Sequence, residues 1–283
     1  MLDVQLQWIR DLHEVLRSPW MDKFFIAWNY VDTIYFAVVP ITLAMYLWDR
    51  KVGIRLLYLL FISFVLNKTF KIFFNQPRPC HIDPLVGILY SKNPGLPSGA
   101  AQSAVIYVGI VWFECRKKLY KWLAVIFAIV LCFSRVYLGL HYPTDILGGM
   151  GIGFALLLLY KKGFPYFEKR WQVASISFPI LLLLLGWLVP SSSTWFFDEA
   201  SALFGVATGL IMGDRIGAEM QKHLGRRALQ IILVISGLAL LFIAEKMLPS
   251  LWLLWAFAQG YWLSFLGGWL LQEEAFSART RRQ

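Results

Sequence analysis

Long apolar runs separated by short cationic loops constrain this chain more than any other feature. Nine runs lie near residues 30–48, 54–74, 98–115, 120–138, 143–160, 174–190, 200–213, 228–245 and 250–271. A helix of roughly 20 apolar residues crosses the hydrocarbon core of a bilayer, and several runs fall a little short of that. They predict an all-α fold, a polytopic transmembrane helical bundle of about nine spans. Composition leaves little else, since 58% of residues are apolar, 16% are charged and the mean hydropathy is +0.59. A disordered chain needs low hydrophobicity, and an ordinary soluble domain carries about 25% charged residues.

The loops support the count. If the runs alternate across a membrane, the loops near 50–55, 116–121, 161–170 and 215–227 and the tail at 279–282 share one side. They hold 18 of the 27 Lys and Arg. The excess of cations marks the cytoplasmic side, so the N-terminus is expected outside and the C-terminus inside. The net charge of +10 therefore reads as loop charge against membrane lipids. No nucleic-acid partner is expected, because that would need the cations gathered on one soluble face. Cys80, Cys115 and Cys132 fit no metal-ligand spacing and no disulfide framework, and no cofactor is expected. Asp3, Arg10 and Asp11 interrupt the N-terminus, which does not read as a signal peptide.

Leu2, Leu6, Ile9, Leu12 and Leu16 share one face of a helix. That helix either lies in the membrane interface or packs on the bundle. Gly205, Gly209 and Gly213 repeat every four residues, as do Gly149 and Gly153, and small faces of this kind let helices approach closely in lipid. Helix packing within the chain is the plainer use of them. A homo-oligomer contact through Gly205, Gly209 and Gly213 is the other.

Ionisable residues at membrane depth are costly and are functional candidates by default. Here they gather on the outer side. The second run ends at Lys71, and Arg78-Pro79 follows. Pro97-Ser98-Gly99 opens the third run, Ser134-Arg135 closes the fourth, and His141 and Asp145 flank the start of the fifth. This set suits a phosphate. Arginine forks match phosphate oxygens and lysine supplies a point charge. Free N–H groups at a helix start after Pro97 would bind an anion, and Gly99 lets the backbone come close. His141 and Asp145, four apart, share a helix face, where the carboxylate would fix the imidazole tautomer. Taken singly, each has a plainer reading: Lys71 snorkelling, the arginines on headgroups or paired with acids, His141 interfacial, Pro97-Ser98-Gly99 a simple helix start. His81 and Asp32 lie on the same side as lesser candidates for substrate contact.

Three stretches carry a resemblance. KIFFNQPRP from Lys71, PSGA from Pro97 and SRVYLGLHYPTD from Ser134 resemble the type 2 phosphatidic acid phosphatase superfamily. Its pattern is Lys-x6-Arg-Pro, Pro-Ser-Gly-His and Ser-Arg-x5-His-x3-Asp. The first and third motifs are complete, and the likeness covers about residues 30–160. It implies a membrane helical bundle that hydrolyses phosphate esters without metal. His141 would attack phosphorus and form a phosphohistidine, with Asp145 orienting it. Lys71, Arg78, Ser98, Gly99 and Arg135 would hold the phosphate oxygens, with Ser134 as a further candidate. The implied substrate is a lipid phosphate monoester or diphosphate of the phosphatidate, sphingoid-base phosphate, lipid A or polyprenyl type. It would be met on a face turned to periplasm, cell exterior or organelle lumen. Residues 1–24 would form the amphipathic interfacial helix, 25–165 the phosphatase-like core, and 166–283 additional helices of packing or accessory role.

One position departs. The second-motif histidine, which in the family protonates the leaving oxygen, is Ala100 here. General acid help is worth roughly 10²–10⁴ in rate, so the chain is expected to be severely impaired. Every other motif residue stands, which favours an introduced histidine-to-alanine change over a decayed enzyme. The same motifs and span count also resemble glucose-6-phosphatase, a small-substrate alternative. Ala100 keeps open a non-catalytic binder or transporter of lipid phosphates.

Overall fold

The computed structural model describes residues 1–169, 171–188, 194–216 and 224–266. In chain order its α-helices are α1 (Leu2–Leu16), α2 (Pro19–Trp28), α3 (Ile34–Leu43), α4 (Arg50–Phe74), α5 (Pro79–Ile82) and α6 (Gly99–Glu114). They continue with α7 (Lys118–Tyr137), α8 (Pro143–Lys169), α9 (Trp171–Leu188), α10 (Thr194–Ile216), α11 (Leu224–Met247) and α12 (Trp252–Tyr261). Among the described residues there is no strand. Among the described residues four stretches are long and apolar enough to cross a membrane: Arg50–Ile82, Lys118–Tyr137, Pro143–Gly163 and Arg227–Met247. Pro19–Asp32 and Phe36–Trp48 make a fifth if the pair, bent by 60°, is one span. The chain is an integral membrane protein. As far as they are described, the other expected stretches are helical too, but α6 has only 16 residues and α12 only 10.

The chain divides into two compact units, one of Met1–Ala37 with Ile54–Lys162, the other of Val38–Gly53 with Gly163–Gln283. In the first, α1 packs against its own unit. Leu6 and Ile9 form a buried cluster with Val86 and Tyr142, while Val4, Trp8 and Val15 face outward. Polar contacts fix its register. His13 Nε2 lies 2.7 Å from the Tyr137 carbonyl, Arg10 pairs with Asp83 at 2.7 Å, and Gln5 Oε1 accepts from both the N–H and the hydroxyl of Thr144 at 3.0 Å. The last pair satisfies a free donor in the first turn of α8. Ser18 caps α2 by accepting from the Met21 N–H, with Pro19 at the first helical position.

Helices α6 and α8 approach closely because α8 presents glycines. A methyl at Gly149 would run into the Ser98 carbonyl, and one at Gly153 would stand 2.9 Å from the Gln102 carbonyl. This is packing within the unit, and it presses α8 onto the first turn of α6. The mutation Gly149→Ala should therefore lower the thermal midpoint in detergent, by an overpacking cost of about 1–3 kcal/mol. Gly151→Ala is the control, since its methyl meets nothing within 4 Å. Equal midpoints for the two variants would show that the approach is soft. Between α7 and α8 the chain turns at Gly139, whose φ is +69°. A side chain there would also strike the Val86 carbonyl, so only glycine suits the turn.

The second unit packs α10 on α12. A methyl at Gly205 would meet the Phe257 carbonyl, one at Gly260 the Ala202 carbonyl, and one at Gly209 the Ser264 hydroxyl. The Gly205 and Gly209 face is thus filled from within the chain, and the side of Gly213 lies outside the described residues. Gln259 Nε2 donates to Glu245 at 2.8 Å and Trp262 Nε1 to the Val234 carbonyl at 3.2 Å, tying α11 to the segment that follows it.

Candidate active site

All the motif residues lie in the first unit, at the ends of five helices. Lys71 stands in the last turn of α4, Arg78 just before α5, Ser98 at the N-cap of α6, Arg135 in the last turn of α7, His141 in the turn before α8 and Asp145 in the first turn of α8. Ser98 accepts from the Ala101 N–H, and its own N–H donates to the Asp145 carbonyl at 3.0 Å. The second and third motifs are thereby joined through backbone.

The cations are held chiefly by carbonyl dipoles. Lys71 Nζ donates to the Pro94 carbonyl at 3.0 Å. Arg78 Nε donates to the Asn93 carbonyl at 2.6 Å and Nη1 to the Leu140 carbonyl at 2.9 Å. Carbonyls orient a cation without cancelling its charge, which keeps the positive potential for an incoming anion. Arg135 differs. Its Nη1 bonds Asn29 at 2.7 Å and Asp32 at 3.1 Å, and its Nε bonds Ser134 Oγ at 3.1 Å. Its Nη2 is buried and has no partner. A buried donor left unmade costs about 1–3 kcal/mol, so Arg135 keeps one donor available to an acceptor.

His141 is the centre of the set. Its Nδ1 faces Asp145 Oδ2 at 3.3 Å, which assigns the proton to Nδ1 and leaves a lone pair on Nε2. Arg78 Nη1 stands 3.2 Å from that Nε2. Asp145 accepts twice more, from the Tyr142 N–H at 3.0 Å and from Gln76 Nε2 at 2.7 Å. Burial, then the charges of Arg78, Lys71 and Arg135, hold the imidazole well below its usual range, so it is neutral at neutral pH. A histidine that titrates near 6.5 when unfolded and stays neutral when folded makes stability fall as pH drops below that value. The thermal midpoint in detergent should fall from about pH 7 to about pH 5, and His141→Gln should flatten the fall. Parallel profiles would assign the proton uptake elsewhere.

The remaining residues take clear places. Ala100 is buried with Ala104 and Leu131, against Trp28 and Val31. Gly99 lies over Asn67, whose amide donates to the Pro97 carbonyl at 3.1 Å and to Gln102 at 3.0 Å. Ser134 donates to the Leu131 carbonyl at 2.6 Å, so its hydroxyl serves α7 and Arg135. His81 accepts from the Arg78 N–H and donates to the Ser91 carbonyl at 2.6 Å, which makes it a brace for the loop. Asp32 turns to Arg135. Gln76, Asn29 and Asn67 join the site without being motif residues. Gln76 lies in the unassigned stretch of the first motif, and Asn29 lies outside every motif. Among the described residues no cluster of three metal-ligating side chains occurs.

The family model described as the PAP2 superfamily matches residues 52–169. Over 178 residues the chain is 30% identical to the YbjG protein of Escherichia coli (strain K12), a match covering 58% of this chain and 87% of that one. The chain belongs to the PAP2 superfamily. It is also 29% identical over 174 residues to phosphatidylglycerophosphatase B of Bacillus subtilis (strain 168), covering 56% of this chain and 82% of the relative. With lipid A 4'-phosphatase of Porphyromonas gingivalis it shares 27% identity over 179 residues, 56% of this chain and 73% of the relative. The PAP2 match contains Lys71, Arg78, Ser98, Arg135, His141 and Asp145. It begins after Asn29 and Asp32, so this chain's anchor for Arg135 comes from outside the matched region.

Proposed function

We propose that this PAP2 protein is built as a membrane lipid phosphatase working through a phosphohistidine on His141. The observation that carries the reading is the placement of His141 itself. Its Nδ1 is committed to Asp145, and its Nε2 lone pair faces the guanidinium of Arg78. Lys71, Arg78, Arg135 and the first turn of α6 would bind the phosphate oxygens, and the orphaned Arg135 Nη2 supports that role. Nε2 attacks phosphorus and the P–O bond to the lipid breaks. With histidine at position 100 the lipid oxygen would take its proton from that imidazole as it leaves, and water then cleaves the P–N bond. The cations stabilise the charge spread over the five-coordinate transition state. Ala100 removes the donor of that proton, so the chain as it stands is impaired and binds substrate without efficient turnover.

A lipid substrate is favoured by where the site stands. The helix that carries Ser98 at its N-cap has only 16 residues, and the other site residues stand at the ends of the apolar stretches Arg50–Ile82, Lys118–Tyr137 and Pro143–Gly163, where a lipid headgroup would be met. The names of the Bacillus and Porphyromonas relatives, a phosphatidylglycerophosphatase and a lipid A phosphatase, point the same way. We further propose nine spans with the site on the outer face, residues 1–24 as an interfacial helix, 25–165 as the catalytic core and 166–283 as accessory helices. Ala100 is the one observation in favour of a non-catalytic binder.

The test compares this chain with its Ala100→His variant, purified side by side with chelator present. Phosphate release is measured over lipid monophosphates, lipid diphosphates and glucose 6-phosphate. Turnover of lipid phosphates by the variant supports the proposal, and turnover of glucose 6-phosphate alone selects the small-substrate reading. Retained lipid-phosphate binding without release from either protein would leave the binder.

A further inference from the structure

The six residues between Lys71 and Arg78 carry no role in the motif. In this chain they place a side chain against the nucleophile's partner. Helix α4 ends at Phe74, and Asn75 follows with φ +42°, a left-handed conformation that asparagine tolerates. The turn brings Gln76 back toward the site, where it is held at both ends. Its carbonyl accepts the Gly95 N–H at 2.8 Å, and its Nε2 donates to Asp145 Oδ1 at 2.7 Å.

The two oxygens of Asp145 therefore have separate duties. Oδ2 takes His141 Nδ1 and the Tyr142 N–H, and Oδ1 takes Gln76. A carboxylate anchored through one oxygen can rotate about its last torsion, which is broad. One anchored through both cannot. Gly95 adds to the constraint, since a methyl there would stand 2.8 Å from Asp145 Oδ2. A neutral amide donor also leaves the carboxylate its negative charge, which the imidazole needs when it becomes cationic as phosphohistidine forms.

We infer that Gln76 is a positioning residue that sets the rotation of Asp145 and through it the tautomer and aim of His141. The inference rests on the phosphohistidine reading above. It assigns Gln76 no contact with substrate, so it separates turnover from affinity.

The test uses the full chain carrying Ala100→His as parent, with Gln76→Leu and Gln76→Glu added singly and assayed on a lipid phosphate that the parent hydrolyses. Gln76→Leu should lower kcat about 10- to 100-fold with KM changed less than about twofold. Gln76→Glu keeps the size of the side chain but sets a second carboxylate against Asp145, so one proton must be shared between them. Its activity should survive only at lower pH, with the alkaline limb of the pH profile moved acidic of the parent's. An active parent whose Gln76→Leu and Gln76→Glu forms keep its kcat and pH profile would overturn the inference. So would a rise in KM alone, which would make Gln76 a substrate contact. A parent that turns over nothing would overturn the enzymatic reading and this inference with it.

Discussion

Replacing Ala100 by histidine should raise phosphate release from a lipid monoester by roughly 10²–10⁴-fold, the worth of a general acid. The gain has a specific origin. An alkoxide is a poor leaving group, and the arginines around His141 stabilise phosphate charge without giving up a proton. In the present chain no histidine stands at position 100 to protonate the departing oxygen. An aryl phosphate such as p-nitrophenyl phosphate departs as a stable phenolate and needs no proton. The same replacement should therefore help it far less, by under about tenfold. The contrast between the two substrates isolates the acid from any general repair of the fold. The fold should in fact lose a little. Position 100 is buried against Ala104, Leu131 and Trp28, and a larger side chain there meets the usual cost of overpacking, about 1–3 kcal/mol. A neighbour softens it, since the indole N–H of Trp28 is buried without a partner. Equal gains for alkyl and aryl esters would mean that position 100 acts by shaping the site and not by giving a proton.

The site's motif residues were legible in the sequence because their chemistry is rare at membrane depth. Lys71, Arg78, Arg135, His141 and Asp145 are conspicuous among apolar neighbours, and the structure brings them together at helix ends. Their supports were not legible. Gln76 reaches Asp145 across 69 residues and Asn29 reaches Arg135 across 106, and no local period announces a contact at such range. Asn67 sits in an apolar helix like any tolerated polar residue until the Pro97 carbonyl is seen above it. For the fold, apolar runs placed the helices well, since lipid-facing and buried positions are both apolar. The same runs could not say that α6 would stop at 16 residues, because its start is fixed by the cap at Ser98 and the backbone tie to Asp145. Nor could spacing decide the use of glycines. Gly149 and Gly205 look alike in sequence, and only the partners, Ser98 in one unit and Phe257 in the other, define what each serves.

In the Ala100→His protein, His141→Gln should reduce turnover by about 10⁴-fold or more, and Asp145→Asn by less, on the order of 10²-fold. The first variant loses the nitrogen that is held by Asp145 and aimed at phosphorus, so no P–N bond can form at position 141. Rapid quenching during turnover of a radiolabelled phosphate ester should trap label on the parent protein, stable to base and lost in acid, and none on His141→Gln. The second variant separates charge from geometry. Asp145 accepts from His141, Tyr142 and Gln76, and an asparagine amide can offer only one oxygen. That oxygen is needed on the side shared by His141 and Tyr142, where both neighbours donate. The NH2 end then faces Gln76, whose own amide can reverse and accept. The imidazole keeps its tautomer, but the negative charge that stabilises it as a cation is gone. Loss on the order of 10²-fold with the covalent intermediate still detectable would follow from that exchange. A loss as complete as that of His141→Gln would instead mean that Asp145 sets the tautomer alone, with no help from the reversal of Gln76.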